Sequence, residues 1–162
     1  MKILCTLVLV ALPSFASGQS TAGASDGSIV HATGAFIAVS VADLDASEKW
    51  YTEKLSLKRV LQGGRMGRVG GFVALEGGGL IIELVKHDDS VRPSSGSAEQ
   101  VQGFFKAGAI VADFDRTTAL LRARGVEIVI GPFPAREAVR ANLVFKDNDG
   151  NLIQLFGDYA RK

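Results

Sequence analysis

Cysteine and histidine, which supply thiolate nucleophiles, imidazole bases and most transition-metal ligands, are scarce in this chain of 162 residues. It contains one cysteine, Cys5, and two histidines, His31 and His87. Thiolate and imidazole groups are the main protein ligands of zinc and copper, and they are common partners in nucleophilic catalysis. Because Asp88 and Asp89 follow His87, we interpret it as an exposed loop histidine. The chain therefore offers little to hold a transition metal.

Other chemical motifs are missing from the sequence. The glycine-rich segment GGRMGRVGG at 63–71 lacks the strand-then-helix context of a dinucleotide site and the lysine of a phosphate loop. There is no serine elbow, and no basic patch is interleaved with aromatic residues. With 18 basic and 17 acidic residues, the chain shows no basic excess, and 47% hydrophobic residues exclude a disordered chain. We expect one globular domain that does not bind nucleic acid.

The first 18 residues have the layout of a secretory signal peptide. Lys2 precedes an uncharged, mostly apolar run at 3–12, which is too short to span a bilayer. Small residues allow cleavage after Ala16 or after Gly18. Residues 19–33 are predicted to be a flexible linker. The mature chain is then cysteine-free, with 17 basic and 17 acidic residues, because Lys2 is the only charge removed. We expect an exported protein, periplasmic or secreted, with no membrane attachment after cleavage.

The remainder of the chain is an internal repeat. Residues 36–45 (FIAVSVADLD) are echoed by 106–115 (KAGAIVADFD) at an offset of 70. Residues 79–85 (GLIIELV) are echoed by 150–156 (GNLIQLF), and 72–76 (FVALE) by 143–147 (LVFKD), both at an offset of 71. Since order and spacing are preserved over three blocks, the sequence predicts two similar modules. Module one covers 34–86 and module two 104–158, with a polar linker at 87–103.

Each module is predicted to have the order β-α-β-β-β. Strands are expected at 36–41, 58–62, 68–76 and 80–85, then at the start of module two, 126–130, 140–146 and 152–156. Asp45 with Glu48 predicts a capping box at the first helix, Asp115 is the candidate N-cap of the second, and Gly125 its C-terminal cap. Hairpin turns are expected at 77–79 and 148–150. The predicted fold class is α+β, with both modules forming a curved mixed sheet around a central cleft.

This arrangement resembles a known superfamily. Paired β-α-β-β-β modules, with VADLDASEKWYTEKL at 41–55 and DNDGNLIQLFG at 147–157, are similar to the vicinal oxygen chelate proteins. These include glyoxalases, bleomycin-resistance proteins and extradiol dioxygenases. The resemblance covers residues 34 to about 158. It implies the fold and leaves the reaction open, because one scaffold hosts many chemistries. It also implies a homodimer, with a monomer as the alternative.

The resemblance implies a metal site at four positions on the first and last strands of the modules. Here those positions hold Phe36, Glu83, Lys106 and Gln154. Phenylalanine has no donor atom, and a lysine ammonium has no free lone pair. We therefore expect no metal cofactor. A site through Glu83, His87 and Gln154 is the weaker alternative. As a hypothesis, a Lys106–Glu83 ion pair substitutes for the metal.

Two functions follow from the resemblance. In the first, the protein binds a small molecule in the cleft between its modules, without a metal. In the second, it is a glyoxalase-like or dioxygenase-like enzyme (a lyase, isomerase or oxygenase) with a divergent metal site, or one that uses Glu83 and Lys106 as acid and base. The predicted cleft residues are Phe36, Arg68, Glu83, Lys106, Arg140, Gln154 and Phe156. The segment from Arg65 to Val69 is read either as a flap or as a β-bulge.

Overall fold

The structure is a computed structural model that describes residues 34–91 and 106–160. The predicted signal peptide at 1–18, the predicted linker at 19–33 and His31 lie outside the described residues, as does most of the linker at 87–103. Among the described residues, no helix has the length and apolar character needed to cross a membrane.

Both modules have the predicted order of elements. Module one consists of β1 (Ile37–Ser40), α1 (Leu44–Leu55), β2 (Lys58–Gly63), β3 (Val69–Gly77) and β4 (Leu80–His87). Module two consists of β5 (Ala107–Ile110), α2 (Phe114–Ala123), β6 (Ile128–Phe133), β7 (Asn142–Lys146) and β8 (Leu152–Phe156). The bounds agree with the predicted ones to within a few residues, because alternation and turn residues are local signals.

The strands form two four-stranded mixed sheets, ordered β1-β4-β3-β2 and β5-β8-β7-β6. In each sheet the first strand pairs in parallel with the last, and the other neighbours are antiparallel. The expectation of a single curved sheet therefore needs correction, since the described strands form two separately hydrogen-bonded sheets. Both β1 and β5 are short edge strands of four residues.

The helices begin two residues earlier than the sequence indicated. Asp43 is the N-cap of α1 and accepts a hydrogen bond from the Ala46 amide, and Asp113 does the same for the Arg116 amide. The predicted capping box of Asp45 with Glu48 is wrong. The Glu48 carboxylate accepts hydrogen bonds from Nε and Nη2 of Arg59 on β2, so it does not reach back to the helix start.

The predicted turns and the predicted helix end are confirmed. Gly78 and Gly79 connect β3 and β4 with φ of 59° and 82°, which suits the tight hairpin that glycine favours. Gly125 follows α2 with φ of 68°, in the left-handed region where a helix terminates most easily on glycine.

The hydrophobic core lies on the helix-covered sides of the sheets. Both modules contribute to one cluster of buried side chains, which includes Tyr51, Leu75, Leu84, Leu143 and Phe145. Trp50 of α1 stacks on Phe145 of β7 with ring centroids 6.3 Å apart. A helix of module one thus packs against a strand of module two, and the apolar core is continuous between the modules.

Candidate functional site

Strand register shows which side of each sheet carries the predicted site residues Glu83 and Gln154 and which side carries the core. Glu83 pairs with Ala38 of β1, and Gln154 pairs with Gly108 of β5. Side chains of paired residues share one side of a sheet. The neighbours Ile82, Leu84, Ile153 and Leu155, which point to the opposite side, belong to the buried core. We call the sides that carry Glu83 and Gln154 the bare faces, and the opposite sides the helix faces.

Of the four positions implied by the resemblance, Glu83 and Gln154 lie on two different bare faces, and the other two directly precede β1 and β5. Phe36 and Glu83 belong to module one, and Lys106 and Gln154 to module two. Phe36 directly precedes β1 and is 62% exposed. Among the residues that the structure describes, there is no ion pair between Glu83 and Lys106. Since Phe36 and Lys106 supply no donor to a cation, this set does not fit a divalent metal ion.

His87 is the histidine of the alternative metal site through Glu83 and Gln154. It is exposed at the end of β4, as predicted, and its Nδ1 lies 3.3 Å from Ser40 Oγ. Within residues 34–91 and 106–160, no three histidine, cysteine, aspartate or glutamate side chains are grouped as metal ligands.

The predicted arginines are engaged at the sheet margins. Arg65 and Arg68, which lie between β2 and β3, form ion pairs with Asp88 and Asp89 after β4. The Arg65 hydrogen bond holds the pKa of the Asp88 carboxyl below its usual value. Met66 and Val69 bridge to each other, so the segment from 65 to 69 is a small hairpin with a register shift at its β3 end, which is closer to the predicted bulge.

Arg140 lies two residues before β7 and contacts residues that follow β8. Its Nη1 donates to the Gly157 carbonyl, and its guanidinium lies 4.5 Å from the Tyr159 ring centroid. None of these arginines is brought next to Glu83 or Gln154 by a described hydrogen bond or ion pair.

One hollow brings three of the predicted cleft residues together. It has a volume of about 380 Å³ on the bare face of module two, and Lys106, Gln154 and Phe156 line it with Gly108 and Ile110. A side chain at Gly108 would place its Cβ 2.8 Å from the Gln154 carbonyl oxygen, so glycine permits the close approach of β5 and β8 there.

A much larger cavity, which we call the inter-module cavity, lies between the modules. Its volume is about 1360 Å³, and strands β1 and β5 and both helices line it. Helix-face residues such as Val39 and Ala109 contribute, together with Leu55 of α1 and Leu120 and Leu121 of α2. Phe36 and Lys106 are the predicted residues that reach it, whereas Glu83, Gln154 and Phe156 do not line it. The predicted acid Glu83 and amide Gln154 therefore lie outside the lining of this cavity.

Few charged side chains interrupt the apolar lining of the inter-module cavity. Three cations, Lys54, Lys106 and Arg124, and one carboxylate, Asp149, line its described part. The Asp149 carboxylate accepts a hydrogen bond from the Ala42 amide, which ties the turn before β8 to the connection between β1 and α1. Sequence reasoning did not single out Lys54 and Arg124, although their offset of 70 places them at equivalent positions of the repeat.

Lys54 and Arg124 make a reciprocal contact where the two helices end. Lys54 Nζ donates to the Arg124 carbonyl at 2.5 Å, and Arg124 Nη1 donates to the Lys54 carbonyl and to Ser56 Oγ at 2.8 Å. Each cation thus lies at the other helix's carboxyl end, where the helix dipole is negative. Both side chains are half-buried.

A second polar contact joins the modules near the cavity. The Tyr51 hydroxyl donates to the Asp147 carboxylate at 2.8 Å, and Asn151 and the Asp149 amide also donate to that carboxylate. Burial, followed by the negative charge of Asp147, raises the pKa of the Tyr51 hydroxyl well above its ordinary value. Tyr51 is therefore a neutral hydrogen-bond donor in the folded protein at any ordinary pH. Sequence reasoning did not indicate this contact of Tyr51.

A comparison with known protein families identifies the superfamily to which the chain belongs. Residues 28–155 match the model of the Glyoxalase/Bleomycin resistance protein/Dioxygenase superfamily. The chain belongs to this superfamily. The resemblance inferred from the repeated modules is thereby confirmed. A comparison with curated proteins finds no match.

Solved structures share the glyoxalase superfamily fold with this chain. A glyoxalase/bleomycin resistance protein/dioxygenase domain from Frankia sp. EAN1pec is 23% identical with a TM-score of 0.64, over 88% of this chain and 96% of that one. A glyoxalase family protein from Enterococcus faecalis is 20% identical with a TM-score of 0.58, over 79% and 98%. A mutant fosfomycin resistance protein from Listeria monocytogenes, complexed with Mn(II) and a dihydroxypropylphosphonic acid, is 18% identical with a TM-score of 0.53, over 78% and 90%.

Proposed function

We propose that this glyoxalase superfamily protein binds a small organic molecule in the inter-module cavity, without a metal ion. The observation that carries the proposal is the cavity itself. At about 1360 Å³ it exceeds the ~300–1,000 Å³ of typical ligand sites. Its lining is mainly apolar with few polar groups, which is the usual composition of a small-molecule site.

The metal-free part of the proposal is supported by the donor set. Phe36 and Lys106 occupy two of the four positions that the family resemblance assigns to metal ligands, and neither has a lone pair to donate. Glu83 and Gln154 remain, on separate bare faces and without a histidine. A carboxylate and an amide alone bind transition metals weakly.

Binding is tested with Nile red, a neutral apolar dye that fluoresces in apolar surroundings. We expect the dialysed protein, treated with a chelator, to bind the dye saturably. Ala109→Phe places a larger side chain in the cavity lining and should weaken binding about tenfold. Ala119→Phe, on the exposed side of α2 and outside the lining, is the matched control and should bind like the wild type. Equal binding by both variants would place the dye elsewhere and contradict the proposal.

Metal independence is tested by elemental analysis. The purified protein is incubated with Zn²⁺, Mn²⁺ and Fe²⁺ and then dialysed. We expect no stoichiometric transition metal. A stoichiometric metal that is lost in Glu83→Ala would overturn the metal-free proposal. It would favour the alternative, a metal-dependent lyase, isomerase or oxygenase with a divergent site.

We further propose that the protein is exported. The support is the order of Lys2, the apolar run at 3–12 and the small residues up to Gly18. Amino-terminal sequencing of the protein from a bacterial periplasm or culture medium should begin at residue 17 or 19. A cytoplasmic chain that retains Met1 would contradict export.

A homodimer is proposed from exposed apolar side chains on or beside the bare faces. Phe36 is 62% exposed and Ile110 is 67% exposed. Ile110 pairs with Phe156, so it lies on the same bare face as Gln154. A second copy that covers these faces would remove this apolar surface from water.

A further inference from the structure

We infer that the ligand of the inter-module cavity is an amphiphilic anion, an apolar chain with a carboxylate head group. The inference rests on the proposed binding function and adds the chemical class of the ligand. Its basis is the juxtaposition of Lys54 and Arg124 with an apolar cavity that both modules line. The apolar part of the ligand would occupy the space between helices and strands, and its charged head would lie between the two cations.

Lys54 and Arg124 have more hydrogen-bond donors than their present partners use, and these are available for such a head group. Lys54 donates to one carbonyl oxygen, and Arg124 donates through Nη1 to a carbonyl and a hydroxyl oxygen. An ammonium has three donors and a guanidinium has five. Neither cation forms an ion pair with a carboxylate of the described residues. Their present partners are neutral, so a carboxylate ligand would supply the first full negative charge that they meet.

The charge balance of the cavity favours an anion over a cation. Three cations and one carboxylate line its described part, which corresponds to a formal charge of +2. The carboxylate, Asp149, is held by the Ala42 amide. A half-buried charge gains more from an oppositely charged partner than an exposed one does, because the surrounding dielectric is lower. A cationic or neutral head group would leave the pair at the helix ends without a counter-ion.

The apolar lining of the cavity indicates the chemistry of the rest of the ligand. Val39, Leu55, Ala109, Leu120, Leu121 and Leu155 present hydrocarbon groups to the cavity. Removing an alkyl chain from water is favourable by about 0.8 kcal/mol for each methylene that becomes buried. A compact polar anion would leave most of this surface wet. The lining therefore favours a ligand with a hydrocarbon portion in addition to its charge.

The inference is tested by competition against bound Nile red at pH 8 with decanoate, decanol and decyltrimethylammonium. These probes have a similar chain and differ in head-group charge. We expect decanoate to compete about tenfold better than decanol, and decyltrimethylammonium to be the weakest. In Lys54→Met/Arg124→Met the preference for decanoate should vanish while decanol still competes. Lys49→Met/Arg122→Met removes the same charges from the exposed sides of the same helices and should keep the preference.

The remaining variants separate a ligand contact from a structural role. Arg124→Lys preserves the charge but loses the forked contacts, and it should retain the preference that Arg124→Met loses. If the double variant fails to fold, Lys54→Met alone should still reduce the preference. Equal competition by decanoate and decanol, or an unchanged preference in every Lys54 and Arg124 variant, would overturn the inference and leave the proposed function standing. Failure of the wild type to bind Nile red or any of the three probes would overturn both.

Discussion

At the scale of single residues, Tyr51 and Asp147 form a buried polar contact between the two modules. The carboxylate is 6% exposed, and the tyrosine is fully buried. A buried carboxylate is tolerated when hydrogen bonds replace its lost hydration, and Asp147 receives such bonds from Tyr51, Asn151 and the Asp149 amide. The tyrosine hydroxyl is the donor that comes from the other module.

We expect Tyr51→Phe to lower the free energy of unfolding by about 2 kcal/mol, because it removes a hydrogen bond to a charged group without changing the ring. The measurement is urea denaturation at pH 7. Tyr159→Phe serves as the control, since that ring is 49% exposed, and its effect should stay within ~0.5 kcal/mol. Equal effects of the two substitutions would show that the buried hydroxyl contributes nothing.

The same hydroxyl predicts an alkaline pH dependence. Its pKa is raised in the folded protein by burial and by Asp147, whereas in the unfolded chain it titrates near the ordinary value of about 10. The unfolded chain then releases a proton that the folded protein keeps, so the contribution to stability is complete below pH ~10 and is lost as pH rises further.

We therefore expect the difference in unfolding free energy between wild type and Tyr51→Phe to shrink above pH ~10, by up to ~1.4 kcal/mol per pH unit. Denaturant titrations of both proteins from pH 8 to pH 11 measure it. Other groups that titrate in this range cancel in the difference. A difference that stays constant over the series would rule out the raised pKa.

At the scale of elements, the helix starts provide the next prediction. Asp43→Ala and Asp113→Ala should each cost about 1 kcal/mol of stability, because each removes the N-cap acceptor of a helix. Asp45→Ala and Asp115→Ala each remove a first-turn carboxylate that makes no capping hydrogen bond but interacts favourably with the helix dipole, and each should cost only about 0.3 kcal/mol. Chemical denaturation of the four variants gives the comparison, and a reversed order would contradict the observed caps.

Much of the fold was predictable from the sequence because its signals are local. Alternation of apolar residues identified the strands, and glycines at 78, 79 and 125 identified a turn and a helix end. The helix starts were wrong by two residues, because each module offers two aspartates two positions apart. In module one, the Glu48 carboxylate binds Arg59 on β2 and is drawn away from the helix start, and the local sequence pattern does not show that contact.

The site was less predictable than the fold. Strand parity places Glu83 and Gln154 on the sides of the sheets opposite to the core, but it does not indicate how two modules pack. The inter-module cavity and the contact between Lys54 and Arg124 depend on that packing. The internal repeat was the available signal, since it places the two cations at equivalent positions. An offset in the sequence does not show that two equivalent residues contact each other in the structure.

At the scale of the whole molecule, the exposed bare faces predict the oligomeric state. Light scattering at micromolar concentration should give twice the mass of one mature chain. Ile110→Lys introduces a charge on a bare face and should shift the protein toward monomer, whereas Ala119→Lys on α2 should remain dimeric. A monomeric wild type at that concentration would contradict the dimer.

The contacts that join the modules also bear on how the chain reaches this structure. Lys54 and Arg124 are 70 residues apart, Tyr51 and Asp147 are 96 apart, and Ala42 and Asp149 are 107 apart. Contacts over such separations form late and slow the folding of a domain. The entropy cost of closing a long loop comes before the energy of the contact is gained. We expect each module to collapse early and the docking of α1 on module two to limit the refolding rate. In a concentrated refolding mixture, α1 of one chain can dock on module two of a second chain through the same surfaces. The product is a module-exchanged dimer that forms without any change of sequence.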